Sequence, residues 1–262
     1  MDNQSFYDKL YYDRNERYSF EVLSKTEAFK FLVKKKKIDF QQKKILDIGF
    51  GSGNLLAEAR SRGAACYGAE ISQTAIDNLQ GEGYCLRLVL GNQLPFDSNF
   101  FDIIIASHVI EHIEDEAVIL DEIKRVMKPN GCFITGVPSG KRFNPLHFRD
   151  YSRNDSQRLM SRLDSDCLFY HNFGSPFFNF FYWPVKKIGD LIARAANFLA
   201  SFNRQAKDSF VEEGQPEVTP DGFLRKIYQK TIVRLLIWLY RADSHLMNWS
   251  GIEIWFLFQK RN

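Results

Sequence analysis

DIGFGSGN, residues 47–54, is the stretch of this sequence that decides its fold. It follows the apolar pair Ile45-Leu46 and leads into residues 55–59, so it predicts a strand, a glycine turn and a helix in that order. Glycine adopts turn conformations that other residues avoid, and the helix N-terminus behind such a turn offers backbone N–H groups to a ligand. Glu70 follows the next predicted strand, about 20 residues on, where an acid is placed to bind a ribose. The stretch therefore predicts a site for a nucleoside-bearing cofactor.

From residue 43 the sequence alternates apolar runs with amphipathic segments, which is typical of a parallel α/β sheet. The run from Phe101 to Ala106 is apolar at nearly every position, as expected for a central strand that is covered on both faces. After Pro138 the alternation ends, and 139–151 is predicted as a loop. The predicted strands are 44–49, 64–70, 84–90, 101–107, 131–137 and 251–259, and the predicted helices are 53–62, 72–80, 115–127, 152–163, 184–202 and 222–241.

Composition and charge limit the classes of protein to consider. The 262 residues fit one large domain, or one domain with an elaboration, and the net charge of +3 is too small to indicate a nucleic-acid partner. The one strong basic run, Lys34 to Lys37, lies at the end of a predicted helix, where cations suit the helix dipole. The cysteines form no CxxC pair and the N-terminus is polar, so we expect a reducing, cytoplasmic location.

The spacing of the glycines distinguishes two classes of cofactor. Dinucleotide-binding turns follow G-x-G-x-x-G, which would require glycine at position 54, and this position is Asn54. The observed G-x-G-x-G, with Asp47 in front, resembles the first motif of class I S-adenosylmethionine-dependent methyltransferases. Residues 67–72, YGAEIS, resemble the second strand of that family, whose terminal acid binds both ribose hydroxyls. The resemblance assigns this role to Glu70, and a carboxylate can accept two hydrogen bonds from a vicinal diol.

Further segments continue the resemblance in the same order over residues 43–138. Residues 94–104 are similar to the passage into the fourth strand. Residues 108–113 resemble the segment after that strand in the branch that contains quinone-biosynthesis and many small-molecule methyltransferases, and residues 120–131 resemble the following helix and turn. The resemblance implies an α/β fold, namely a doubly wound, mostly parallel, seven-stranded Rossmann-like methyltransferase sheet with a helical insertion before an antiparallel last strand. The expected domains are an N-terminal helical arm at 1–42, the methyltransferase core at 43–175, the insertion at 176–245 and the last strand at 246–262.

The implied cofactor is S-adenosyl-L-methionine, with S-adenosyl-L-homocysteine as its product. Members of the family often carry an acid just before the Leu-Pro-Phe step, where it meets the adenine amino group, whereas this chain has Gly91-Asn92-Gln93. The amide oxygen of Asn92 or Gln93, or the backbone, could accept the same hydrogen bond. The predicted cofactor-binding residues are Asp47, Gly49, Phe50, Gly51, Gly53, Glu70, Ile71, Asn92, Gln93, Leu94 and Ser107.

Three histidines are candidates for a catalytic role, because a general base helps when the methyl acceptor is a hydroxyl and His titrates near neutral pH. His108 and His112 follow the fourth predicted strand, at the edge where open α/β sheets bind ligands, and His147 lies in the loop after the fifth. His108 could instead line the methionine end of the cofactor. Residues 108–112, HVIEH, also spell the H-x-x-E-H of one metallopeptidase group. That motif needs a further carboxylate ligand from elsewhere and here abuts a buried strand, so no metal site is predicted.

The predicted function is in-line methyl transfer from S-adenosylmethionine to a small-molecule, glycan or lipid-linked acceptor, at oxygen. Two alternatives stay open: a nicotinamide-dependent oxidoreductase, which would need glycine at position 54, and a non-catalytic S-adenosylmethionine-binding protein, which would lack an acceptor pocket. Residues 176–245 are expected to cover the substrate, or to contact the inner face of a membrane peripherally through amphipathic helices. No nucleic-acid partner is expected, and the sequence does not reveal the oligomeric state.

Overall fold

The computed structural model describes residues 19–91, 93–139, 147–174, 180, 184, 187, 231, 233–246 and 253–262. The strands in this part of the chain form one sheet and are β1 (Lys44–Ile48), β2 (Ala65–Glu70), β3 (Cys85–Leu88), β4 (Phe101–Ser107), β5 (Met127–Pro138), β6 (Ser165–Phe173) and β7 (Glu253–Lys260). The main helices are α1 (Phe20–Lys36), α2 (Asn54–Ser61), α3 (Gln73–Leu79), α4 (Glu116–Val126), α5 (Asp155–Leu163) and α6 (Arg234–Leu246), with a 3-10 turn at Ile110–His112.

The seven strands lie in the order β3-β2-β1-β4-β5-β7-β6. Neighbouring strands are parallel except at β7, which runs antiparallel to both β5 and β6. The strand order reverses between β1 and β4, and open α/β sheets bind ligands beyond the carboxyl ends of the strands at such a point. Ile48 pairs with Ala106, so the segments that follow β1 and β4 emerge side by side. The predicted doubly wound, mostly parallel, seven-stranded sheet with an antiparallel last strand is confirmed.

The sheet is buried on both faces because its central strands carry apolar residues at consecutive positions. On β4, Ile103 belongs to the hydrophobic cluster on one face and Ile104 to the cluster on the other. Helices α1, α2, α3 and α6 cover the first face, and α4 and α5 cover the second. Helix α1 is part of this core, since the fully buried ring of Phe29 lies 6.4 Å from that of Trp255 on β7.

Strand β6 departs from the prediction, in which no strand follows residue 138 until residue 251. Its residues vary between buried and more exposed positions, and within the described part of the chain it pairs with β7 alone, residue 165 lying opposite residue 260. An edge strand that contains Asp166 and His171 lacks the continuous apolar run that marks a central strand. Strand β5 also begins earlier than predicted, at Met127 instead of 131, because helix α4 ends at Val126 and the chain pairs with β4 at once.

The helical predictions outside the core are tested only in part. Helix α1 lies within the predicted arm, and α6 extends to Leu246 where the predicted helix ends at 241. The predicted helix at 184–202, apart from positions 184 and 187, and residues 203–230 after it lie outside the described residues. Within the described ranges, none of the helices has both the length and the hydropathy needed to cross a bilayer.

Candidate cofactor and acceptor site

The glycine turn between β1 and α2 has the backbone shape that its sequence predicts. Gly49, Gly51 and Gly53 have φ angles of 65°, 51° and 76°, a region that side chains disfavour. The N–H of Gly49 donates to the carbonyl of Ala69 at 2.8 Å, and this bond ties the turn to β2. Gly53 is the N-cap of α2, and no side chain of the described residues forms a capping hydrogen bond there. The turn therefore presents backbone at a helix N-terminus, an arrangement that suits a polar ligand.

Glu70, at the end of β2, is joined to this turn. Its carboxylate is buried, and one oxygen accepts a hydrogen bond from the N–H of Gly51 at 3.0 Å. The other oxygen accepts from the N–H groups of Ile71 and Ser72 at 2.8 and 3.3 Å. Ser72 in turn caps α3 by accepting from the N–H of Ala75 at 3.2 Å. The carboxylate is thus fixed between the glycine turn and α3, where the prediction places the ribose-binding acid.

Two buried oxygen atoms at this edge, Asp47 Oδ2 and Ser107 Oγ, have no hydrogen-bond partner among the described residues. Asp47 lies near the carboxyl end of β1, and Ser107 ends the neighbouring strand β4. Burial and the nearby charge of Glu70 raise the pKa of Asp47 well above its usual value. A buried polar group without a partner is costly, as are two neighbouring buried carboxylates. A cationic ligand with hydrogen-bond donors would relieve both costs, so these residues fit the predicted cofactor.

The other predicted cofactor residues lie in different settings. Phe50 is buried in the core against Gly68, where an added Cβ would lie 2.5 Å from the ring. Leu94 is also buried, and its backbone N–H and C=O are bound by the side chains of Glu122 and Arg125. Gln93 is exposed, and position 92 lies outside the described residues. The contact to the adenine amino group therefore stays a prediction.

The three candidate histidines come together around the carboxylate of Glu111. Oε1 of Glu111 lies 3.3 Å from Nδ1 of His108 and 3.9 Å from Nε2 of His112. The rings of His112 and His147 meet edge to face, with centroids 4.7 Å apart. The sequence predicts these histidines one by one, and the structure shows that they form a single group with Glu111, which we call the histidine cluster.

The histidine cluster lies against the glycine turn. A Cβ added to Gly49 would lie 2.5 Å from Cγ2 of Val109, so the backbone of the turn is in close contact with the segment that carries the cluster. The N–H of Phe148 donates to the carbonyl of Glu111 at 2.9 Å and docks the loop that contains His147 onto that segment. The glycine turn and the histidine cluster are therefore adjacent parts of one site.

His108 is held in place by residues that no local motif indicates. Its Nε2 lies 2.7 Å from Glu253 Oε2 on β7, 145 positions away in the sequence, and the hydroxyl of Tyr240 donates to the other oxygen of Glu253. The backbone of His108 has a φ of 56°, which is strained for a residue with a side chain. Burial and the charge of Lys25 act to lower the pKa of His108, but the carboxylates of Glu111 and Glu253 outweigh them and raise it. These contacts suit a positioning role better than that of a base.

Comparison with known proteins links this geometry to a family. Residues 46–135 match the sequence family described as Methyltransferase domain. The demethylmenaquinone methyltransferase of Geobacillus stearothermophilus is 30% identical over 119 residues, which cover 40% of this chain and 51% of that protein. The ubiquinone biosynthesis O-methyltransferase of Bartonella tribocorum is 34% identical over 102 residues, which cover 35% of this chain and 40% of that protein. The chain thus spans about half, or less, of the length of these relatives.

A solved structure shares the fold over almost the whole chain. The S-adenosylmethionine-dependent methyltransferase of Archaeoglobus fulgidus superposes with a TM-score of 0.54 at 13% identity, covering 94% of this chain and 97% of that one. At this level of identity the likeness concerns the fold alone. The sequence match at 46–135 includes the glycine turn, Glu70 and the segment from His108 to His112, whereas His147 and Glu253 lie beyond it.

Proposed function

Because residues 46–135 belong to the class I S-adenosylmethionine-dependent methyltransferase family, we propose that this protein transfers a methyl group to an oxygen atom of a small-molecule or lipid-linked acceptor. The observation that carries this proposal is the contact between Gly49 of the glycine turn and Val109, which lies in the segment that carries the histidine cluster. Hydroxyl acceptors must lose a proton, and imidazoles beside the cofactor turn are suited to accept it. The names of the two relatives support a quinone-related acceptor, and that of the Bartonella tribocorum relative, an O-methyltransferase, supports a hydroxyl, whereas that of the Geobacillus stearothermophilus relative specifies no acceptor atom.

The cofactor would be held by residues of the glycine turn and its neighbours. When bound, S-adenosylmethionine supplies a methyl group that is already activated by a sulfonium. Glu70 would accept hydrogen bonds from the ribose hydroxyls, and its bonds to the turn and to α3 keep the carboxylate in position for them. Asp47 and Ser107 would face the polar, cationic end of the cofactor, because both present buried oxygens at the ends of the central strands.

The acceptor would lie beside the histidine cluster, which serves two tasks. His108, held between two carboxylates, positions the segment. His112 and His147 are the candidate bases. Burial and the charges of His112 and His108 lower the pKa of His147 despite the opposing carboxylates, so this imidazole is neutral and able to accept a proton near neutral pH. The part of the predicted insertion that precedes α6, most of which lies outside the described residues, is expected to cover the acceptor or to touch a membrane surface, whereas α6 itself packs in the core.

Two measurements test the proposed function. Isothermal titration of the full chain is expected to show binding of S-adenosylmethionine and of S-adenosylhomocysteine, and no binding of NADH. Release of S-adenosylhomocysteine is then measured with polyprenylated and soluble catechols, matched methoxy compounds that lack the reacting hydroxyl, and primary amines. We expect turnover with the hydroxyl compounds alone. Turnover with amines would show that oxygen is not the acceptor atom. Failure to bind both S-adenosylmethionine and S-adenosylhomocysteine would reject the proposed function altogether.

Asp47→Asn is expected to lower the affinity for S-adenosylmethionine and to raise the stability of the ligand-free protein. The amide cannot carry the charge that faces the cationic cofactor, so we expect S-adenosylmethionine binding to weaken by about 10- to 150-fold, the range for hydrogen bonds to charged groups. The ligand-free variant should be more stable than the wild type near neutral pH. The sign follows from the raised pKa of Asp47: ionisation above that pKa favours unfolding, whereas asparagine does not titrate. The difference in stability should shrink as the pH is lowered.

Thermal denaturation at several pH values between about 5 and 8 measures the stability difference over the window in which a raised carboxyl pKa acts. Asp97→Asn is the matched control, because Asp97 is exposed, and it should change neither affinity nor stability. A wild-type protein that is more stable than Asp47→Asn at neutral pH without ligand would contradict the assignment of Asp47.

A further inference from the structure

The histidine cluster offers a set of metal ligands that the function proposed above does not require. Glu111, His112 and His147 each present one ligand atom, and these atoms all lie within 4.8 Å of one another. Ligands of a tetrahedral zinc ion lie about 2.0–2.2 Å from it and so are about 3.3–3.6 Å apart. Closing the cluster around an ion therefore needs side-chain movements of up to about 1 Å.

The carboxylate of Glu111 gives a second, independent indication of a ligand. Its side chain is fully buried, and neither oxygen has a hydrogen-bond partner among the described residues. The imidazoles of His108 and His112 lie 3.3 and 3.9 Å from Oε1 and partly compensate its charge, but neither contact is a well-formed hydrogen bond. A buried carboxylate that accepts no hydrogen bond is costly, and buried charges of this kind are commonly paired or coordinate a metal ion. Both oxygens belong to Glu111, the residue that lies within ligand distance of the imidazoles of His112 and His147.

The surroundings hold the three side chains in place. Glu111 and His112 lie on the 3-10 turn at Ile110–His112, directly after β4. The guanidinium of Arg149 donates to the carbonyls of Ile110 and Ile113 at 3.0 and 2.6 Å, which fastens the loop of His147 to that turn. Supporting contacts of this sort orient metal ligands and raise affinity.

From this geometry we infer that Glu111, His112 and His147 form a mononuclear site for a divalent transition-metal ion of the zinc type. Two imidazoles and one carboxylate suit such ions, whereas Mg²⁺ and Ca²⁺ prefer oxygen ligands alone. Three protein ligands leave a coordination position open, as in catalytic zinc sites. The position of the site beside the glycine turn suits an ion that binds the acceptor hydroxyl and lowers its pKa, the proton passing to solvent. This role rests on the proposed methyl transfer to oxygen, and in the metal-loaded protein it replaces His112 and His147 as proton acceptors, because an imidazole nitrogen that binds a metal cannot accept a proton. Metal binding itself does not rest on the proposed function.

Metal binding is tested with the full chain after treatment with a chelator. Titration with CoCl₂, followed by visible absorption, is expected to show one cobalt ion per chain, displaced by ZnCl₂ and not by MgCl₂ at the same concentration. His112→Gln and His147→Gln should each weaken cobalt binding more than about 100-fold, since loss of a mere supporting residue already costs 10–100-fold. His171→Gln is the matched control, because His171 packs against Phe31 and Phe173 on β6, and it should bind cobalt normally.

His147→Cys provides a readout that a purely structural role would not produce. A thiolate at this position should bind cobalt with a new sulfur-to-metal charge-transfer band, which the wild type should lack although it has four free cysteines. Equal cobalt affinity in the wild type, His112→Gln and His147→Gln would overturn the proposal, as would absence of the new band in the cysteine variant. Titration with S-adenosylmethionine in the presence of chelator is scored separately, so failure of the metal site and failure of the proposed function are distinguishable.

Discussion

Glu70→Ala is expected to weaken S-adenosylmethionine binding by about 5- to 150-fold, which corresponds to about 1–3 kcal/mol. The variant removes the acceptor for the ribose hydroxyls. It also removes the acceptor for three backbone N–H groups, those of Gly51, Ile71 and Ser72. Donors left without partners at a buried site are costly, so the glycine turn should lose its fixed position as well as its ligand contact. We therefore expect both lower affinity and a lower melting temperature.

Two further variants test whether the loss of affinity comes from the carboxylate of Glu70. Glu70→Gln keeps one carbonyl oxygen as an acceptor and should lose less affinity than Glu70→Ala. Glu82→Ala, at an exposed turn, should match the wild type in S-adenosylmethionine titration and in thermal denaturation. Normal affinity of Glu70→Ala would show that the acid after β2 does not bind the ribose.

Gly53→Ala is expected to destabilise the protein by about 2–5 kcal/mol and to abolish measurable cofactor binding. An added Cβ would lie 2.4 Å from Cδ1 of Leu79, which is almost fully buried and cannot move aside without disturbing the core. Overpacking of this kind costs about 1–3 kcal/mol. The φ of 76° adds about 1–2 kcal/mol, because a side chain disfavours the left-handed region. Relief of either strain would displace the turn that faces the cofactor.

Gly81→Ala separates the steric contact with Leu79 from the backbone cost of a positive φ. Gly81 also has a positive φ, 84°, but an added Cβ would meet no atom within 4 Å. It should therefore show the backbone cost alone, about 1–2 kcal/mol, with unchanged cofactor affinity. Urea denaturation of both variants and titration with S-adenosylmethionine provide the comparison. Equal destabilisation of the two variants would mean that the contact with Leu79 does not matter.

The features that could be predicted from the sequence are those encoded over a short stretch. The glycine turn, Glu70 and the central strand β4 each depend on local rules, namely conformational freedom at glycine and a continuous apolar run. Strand β6 has no such signature, because it lies at the edge of the sheet that the described residues form, and its partner there, β7, follows much later in the chain. The pairing of β6 with β7 is visible only in the folded sheet, so the sequence of β6 alone does not indicate it.

In the candidate site, too, only the features encoded over a short stretch of sequence could be predicted. Position after the fourth strand, at the edge where such sheets bind ligands, was sufficient to indicate His108 and His112, and position in the loop after the fifth strand indicated His147. Their assembly around Glu111 depends on how the loop of His147 docks onto the 3-10 turn, which no spacing in the sequence encodes. Glu253, which holds His108, lies 145 positions away and belongs to a strand whose sequence indicates only burial.

The position of β7 has a consequence for how the chain is made. This strand lies between β5 and β6, although it is synthesised after both. While residues 253–260 are still within the ribosome, β5 presents an unpaired edge, and such edges are prone to pairing with other chains. The glycine turn and its neighbours are complete by then, but His108 still lacks Glu253. A nascent chain would therefore complete the glycine turn and Glu70 first, and would support His108 through Glu253 only when the last strand is inserted.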